Sequence, residues 1–172
     1  NNFNKSIVIR PSIIFSRDDK FTTKFMSMLS ILPIFPIYYN GLTKFQPIYC
    51  GDLCEVVSKI LELDKINNII ECGGPEILNF KEILEILLKQ IDKKRILIPV
   101  PYFIAKLQSK IFELFPNPLL TYDQLKLLKK DNVVSGKYPT INDLLDIKYL
   151  STLSSELESY SYAWRQGGQF HK

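Results

Sequence analysis

The sequence predicts an α/β fold, and three observations carry that reading. Short apolar runs of strand length alternate with longer segments whose apolar residues recur at helical spacing. Two of the helical segments open on complete capping-box signatures, Asn79 with Glu82 and Thr121 with Gln124. Of the 172 residues, 46% are hydrophobic and 23% charged, which supplies a substantial core and argues against disorder.

Taken from the start, residues 6–14 read as a strand whose continuous apolar run suits burial on both faces, as in a parallel sheet. Ser16-Arg17-Asp18-Asp19 is turn-like. Residues 21–32 form a helix with Phe21, Phe25, Met28, Leu29 and Leu32 on one side. Residues 25–43 carry no charge, but Pro33, Pro36 and Asn40-Gly41 break them, so a continuous membrane-spanning helix is a poor reading. Two readings of that stretch stand: a buried helix followed by an extended loop and a turn, or an apolar surface that docks on a membrane or a partner subunit.

Residues 43–49 read as a strand, with Pro47 placing it at an edge or at a strand start. Asp52 with Glu55 marks a helix start, and Leu53, Val56, Val57, Ile60 and Leu61 form its apolar stripe. A short strand over residues 69–72 ends at Gly73-Gly74-Pro75. Asn79 opens the next helix, whose buried face is Phe80, Ile83, Leu84, Leu87 and Ile91. Residues 96–100 form a strand, and Pro101 suits the first turn of the helix after it. That helix is expected to bury Ile104, Leu107, Ile111, Leu114 and Phe115, and Pro116-Asn117-Pro118 stops it. Thr121 caps a further helix, and the tail after Ser151 is amphipathic up to Trp164. No repeat or long linker divides the chain.

The chemistry-bearing residues are sparse. The net charge of +4 is scattered; Lys93-Lys94-Arg95 and Lys129-Lys130 read as solvated helix ends and turns, so no nucleic-acid partner is expected. Cys50, Cys54 and Cys72 lack metal-ligand spacing and the lone His171 lies far from them, so no metal site is expected, and the thiols suit a reducing compartment. Glycines 41, 51, 73, 74, 136, 167 and 168 form no phosphate-binding fingerprint. The pattern Tyr-x-x-x-Lys occurs twice, at Tyr102 with Lys106 and at Tyr122 with Lys126. Chance alone gives about one such pair in a chain of this composition, and both read as surface pairs at helix starts. The single histidine removes most nucleophile–base pairings, and no catalytic residue is assigned.

Several motifs, in order, carry a resemblance. Ile9-Arg10-Pro11-Ser12-Ile13-Ile14-Phe15 resembles the strand and turn that face the nicotinamide in extended short-chain dehydrogenases/reductases, the epimerase/dehydratase-like group. Where that family commonly follows the Phe with Gly, this chain has Ser16-Arg17. The run from Phe45 through Gln46, Pro47, Ile48 and Tyr49 to Asp52 and Leu53 resembles the segment that closes over the substrate and begins a helix. Glu71-Cys72-Gly73-Gly74-Pro75-Glu76 resembles the family's Gly-Gly-Pro-Glu turn. Within the family, Lys44-Phe45-Gln46-Pro47, the run from Leu119 to Leu125, Asp131-Asn132-Val133-Val134 and Tyr162-Ala163-Trp164-Arg165 look like the NAD(P)H-binding accessory subunit of respiratory complex I and its bacterial relatives.

The resemblance implies that residues 1–172 are the C-terminal, substrate-side part of a Rossmann-like fold with a small α/β subdomain, the dinucleotide-binding half being absent. It implies cofactor contacts at Pro11, Ser12 and Ile13 and substrate-side contacts at Phe45 and Gln46. It implies NAD(P)H in the full-length protein and none for this chain alone, since neither the glycine-rich loop nor the catalytic Tyr/Lys is in it. Whether the full-length protein is an enzyme stays open. The implied partners are the missing half of the fold, with respiratory complex subunits or the inner-membrane surface. The implied location is cytoplasmic or peripheral on the inner membrane, on the matrix side in a eukaryote. Two functions follow: a complex I accessory or assembly subunit with a structural dinucleotide, or an NAD(P)-dependent oxidoreductase or epimerase acting on a nucleotide sugar or quinone-related substrate.

Overall fold

A computed structural model describes residues 6–62, 69–114, 120–144 and 149–169. The expected Phe115 contact, the Pro116-Asn117-Pro118 stop and His171 lie outside the described residues. The first apolar run divides into β1 (Val8–Pro11) and β2 (Ile14–Phe15). α1 (Thr22–Ile31) leads into β3 (Ile34–Tyr38), and a 3-10 turn over Tyr39–Gly41 precedes β4 (Lys44–Phe45) and β5 (Ile48–Tyr49). α2 (Cys50–Leu61), β6 (Ile69–Cys72), β7 (Leu78–Asn79) and α3 (Phe80–Gln90) follow. β8 (Ile96–Val100), α4 (Tyr102–Phe112), α5 (Tyr122–Leu127), α6 (Ile141–Leu144) and α7 (Leu153–Glu158) complete the order, with a 3-10 turn at Ser161–Trp164.

The strands pair two by two: β1 with β6, β2 with β5 and β3 with β8 in parallel, and β4 with β7 antiparallel. The expectation that the first strand is covered on both faces does not hold within this chain. β1 has one strand neighbour among the described residues, and Ile7, Val8 and Ile14 stay partly exposed. The break falls at Ser12, whose N–H donates to Cys72 O at 3.0 Å before the backbone passes from one partner strand to the other.

The stretch with two prolines is not a loop. β3 runs in register with β8, Ile34 opposite Ile96 through Tyr38 opposite Val100. Among the described residues β3 is paired on one side only, so the missing N–H of Pro36 costs no ladder bond. Phe35 and Ile37 alternate into the main core, 3% and 2% exposed, and Tyr160 and Trp164 join them there. The docking reading of residues 25–43 is therefore corrected for Phe35 and Ile37, while Ile31, Ile34 and Leu42 stay exposed. Phe35 and Ile37 close the core against α1, α3 and α7.

α3 supplies the centre of that core, with Ile83, Leu84, Leu87 and Ile91 fully buried. Its capping box is complete: the Asn79 side chain accepts from Glu82 N–H at 2.9 Å, and Glu82 accepts from Asn79 N–H at 2.7 Å. Arginines close helix ends elsewhere. Arg95 donates to the Leu29 and Ser30 carbonyls of α1, and Arg165 donates to the Gln90 carbonyl of α3. The basic cluster at 93–95 thus holds a helix terminus through Arg95.

Two helices differ from their expected form. α2 starts at Cys50, two residues early, and its Asp52 accepts from Ser151 N–H at 2.6 Å instead of capping its own helix. Val56 and Ile60 are buried, while Leu61 faces out. α4 inverts its expected orientation. Ala105 and Ser109 face the body, while Ile104, Leu107, Ile111 and Leu114 are about half exposed or more. Small residues let α4 lie close to its support at Tyr38, Leu120 and Leu125, which leaves the bulky stripe outward.

Candidate functional site

Two of the residues singled out from sequence, Ser12 and Gln46, meet at one knot. Ser12 Oγ donates to Asn132 O at 2.6 Å and accepts from Gln46 N–H at 3.0 Å. Gln46 Nε2 donates to Gly74 O at 2.9 Å, and its Oε1 accepts from Val134 N–H at 3.2 Å. The knot therefore joins the end of β1, the β4–β5 turn, the Gly73-Gly74 turn and the 132–134 segment. Pro11 pairs with Cys72 at the end of β1, and the Ile13 carbonyl accepts from Ile48 N–H. The polar atoms of Ser12 and Gln46 are already used by the protein, so these groups hold backbone in place.

Phe45 turns the other way. It is 7% exposed and lies 6.4 Å from Phe21 and 6.3 Å from Phe80, ring centre to ring centre. With them it lines a cavity of about 630 Å³ bounded by α1, β3, the start of α3 and α5. Phe25, Met28, Leu32, Phe35 and Leu128 complete most of its apolar wall. The polar residues on it are few: Lys20, Lys24, Gln124, Lys130, Asp131 and Asn132, with burial pushing the Tyr38 hydroxyl up from its ordinary value. The sequence signalled Phe21, Phe25 and Met28 as a helix face, but gave no sign that this face fronts a cavity.

Helix N-termini on the cavity wall offer no anion cradle. In α1, Asp19 Oδ1 takes the N–H groups of Phe21 and Thr22 at 2.6 and 2.5 Å. Asn79 and Thr121 cap α3 and α5 in the same way. A dinucleotide needs free N–H groups at a glycine-rich helix start for its pyrophosphate, and these three closed starts do not provide one.

Both Tyr-x-x-x-Lys pairs end at one place. Lys126 Nζ lies 4.2 Å and Lys106 Nζ 5.9 Å from the centre of the Tyr122 ring. A hydrogen bond with Tyr122, then burial, push the Tyr102 hydroxyl up from its ordinary value, against the pull of Lys126. An acid/base tyrosine needs the reverse shift. Among the described residues no group of His, Cys, Asp and Glu could hold a metal ion, and no helix is long and apolar enough to cross a membrane.

No family model matches the chain. Over 141 residues it is 30% identical to the mitochondrial NADH dehydrogenase [ubiquinone] 1 alpha subcomplex subunit 9 of Dictyostelium discoideum, across 80% of this chain. The chain is homologous to that subunit. It spans 39% of that relative's length. Among solved structures, leucoanthocyanidin reductase of Vitis vinifera in complex with NADPH superposes with a TM-score of 0.62 at 15% identity, over 89% of this chain and 51% of the reductase. UDP-glucuronic acid 4-epimerase of Bacillus cereus, in complex with UDP-glucuronic acid and NAD, gives 0.58 at 20%, over 90% of this chain and 44% of the epimerase. The fold is that of the Rossmann-like short-chain dehydrogenase group, and both neighbours were solved with a nicotinamide dinucleotide bound. A reductase and an epimerase share it, so the fold alone leaves the chemistry open.

Proposed function

We propose that this chain is the substrate-side portion of an accessory or assembly subunit of respiratory NADH:quinone oxidoreductase, which holds NAD(P)H as a structural group without turnover. One observation carries the reading: the 141-residue similarity to the Dictyostelium subunit. Pro11, Ser12 and Ile13 would abut the nicotinamide end of the dinucleotide, and Phe45 and Gln46 would close the substrate side. The rest of the full-length protein would supply the phosphate cradle. The Ser12–Gln46 knot supports a holding role, because its polar atoms fix backbone and none is placed to move a proton. The subunit would sit peripherally at the matrix face of the inner membrane.

The test is native electrophoresis of mitochondrial or bacterial membranes carrying a tagged full-length protein at its own locus. The tag is expected to comigrate with NADH dehydrogenase activity, and deletion is expected to lower the amount of assembled complex. Free migration of the tag, together with turnover of a nucleotide sugar or a quinone by the purified protein, would replace this reading with the enzymatic one.

A further inference from the structure

We propose that the cavity between α1, β3 and α5 binds the hydrocarbon chain of an amphiphile whose anionic head rests at its lysine rim. The inference stands on the cavity and does not require the accessory-subunit reading. A volume of about 630 Å³ lies within the roughly 300–1,000 Å³ range of small-molecule sites.

The wall is rigid as well as apolar. Phe25 packs edge-on against Phe21 at 5.0 Å, Phe80 at 5.3 Å and Phe35 at 6.0 Å. These rings brace one another, so the space cannot collapse without breaking edge-to-face contacts. Left unfilled, such a space forgoes dispersion contacts along every wall.

Its polar content points to the ligand class. Asn132 O accepts from Ser12, and Asp131 Oδ1 accepts from Lys44 N–H at 2.9 Å. The helix starts are closed by Asp19, Asn79 and Thr121. A nucleoside diphosphate would find neither a base-reading hydrogen-bond set nor a backbone phosphate cradle. A hydrocarbon chain needs neither. Lys20 and Lys130 leave the rim positive beside the carboxylate of Asp131, which complements a carboxylate or phosphate head held in water at the mouth.

Full-length protein is titrated with 11-(dansylamino)undecanoic acid, and saturable fluorescence enhancement is expected. Met28→Trp, which fills the cavity, is expected to weaken binding about tenfold or more without lowering the melting temperature. If that variant is unstable, Leu32→Trp on the same wall takes its place. Lys20→Glu with Lys130→Glu is expected to weaken the acid probe by about the same factor and to leave its methyl ester unaffected. Displacement by free oleate identifies a fatty acid as the source, and displacement by phosphatidylglycerol vesicles identifies a phospholipid. Absence of saturable binding, or equal binding after the cavity is filled, overturns the proposal. Assembly into the respiratory complex, scored separately on native gels, keeps this outcome distinct from the fate of the functional reading.

Discussion

Gly74 has no side chain because the chain leaves no room for one. A Cβ there would fall 1.7 Å from the Pro47 carbonyl oxygen, a backbone atom that cannot step aside. Gly74→Ala is expected to destabilise the protein by about 3 kcal/mol or more, read from the denaturant midpoint. The Gly73-Gly74 pair is legible as a turn in the sequence. Its cause is not legible, because the obstructing residue comes from another element and only the folded chain brings the two together. Titratable residues give a second expectation. Burial pushes the Cys72 thiol from 9.0 up to about 11 and, as the largest cause, the Tyr160 hydroxyl from 10.0 up to about 12. Both groups are raised, so each contributes fully while the unfolded chain is still protonated. That contribution is lost as pH climbs from the unfolded to the folded value. Stability is expected to hold flat to about pH 9 and then fall toward pH 12, by on the order of 2 kcal/mol per group. Tyr160→Phe is expected to lose the bond to Thr22 and to remove the upper part of that fall, as followed by circular dichroism across pH.

At the scale of the element, α3 and α4 share one apolar spacing and meet opposite fates. Leu87 in α3 is 0% exposed and Leu107 in α4 is 56% exposed. Leu87→Ala is expected to cost about 3 kcal/mol, whereas Leu107→Lys is expected to stay within about 0.5 kcal/mol, both by chemical denaturation. Equal costs would show that α4 is covered by something in the folded protein. Periodicity reports that a helix has an apolar face, not what meets it. α3 was readable because its cap, its stripe and its burial agree. In α4 the contact is made by Ala105 and Ser109, which look like spacers in the sequence. β3 was hidden because Pro33 and Pro36 outweigh an alternation that only pairing with β8 reveals. The Asp52–Glu55 pattern failed because a tertiary donor, Ser151 N–H, claims the carboxylate first.

For the whole molecule, the order of motifs carried the fold further than any single motif. The Ser12–Gln46 knot shows why: it ties four segments distant in sequence, so their order is read together or not at all. The cavity is not legible there, since its walls come from α1, β3, α3 and α5 and its volume is a property of their spacing. The purified 172-residue chain is expected not to bind NADPH, because its glycines form no phosphate-binding fingerprint. Saturable quenching of NADPH fluorescence at micromolar chain would refute this.

The three thiols form a built-in clock. Cys54 is exposed, Cys50 intermediate and Cys72 buried on β6 beside β1. With its thiol held near 11, Cys72 offers almost no thiolate at neutral pH and no path to a reagent. Its alkylation must wait for the packing of Ile48, Val56, Ile60 and Ile141 around it to open, while Cys54 reacts at once. The ratio of the two rates, followed by mass spectrometry, times how often that cluster opens. A contact that tightens α2 over this cluster would slow Cys72 and leave Cys54 unchanged.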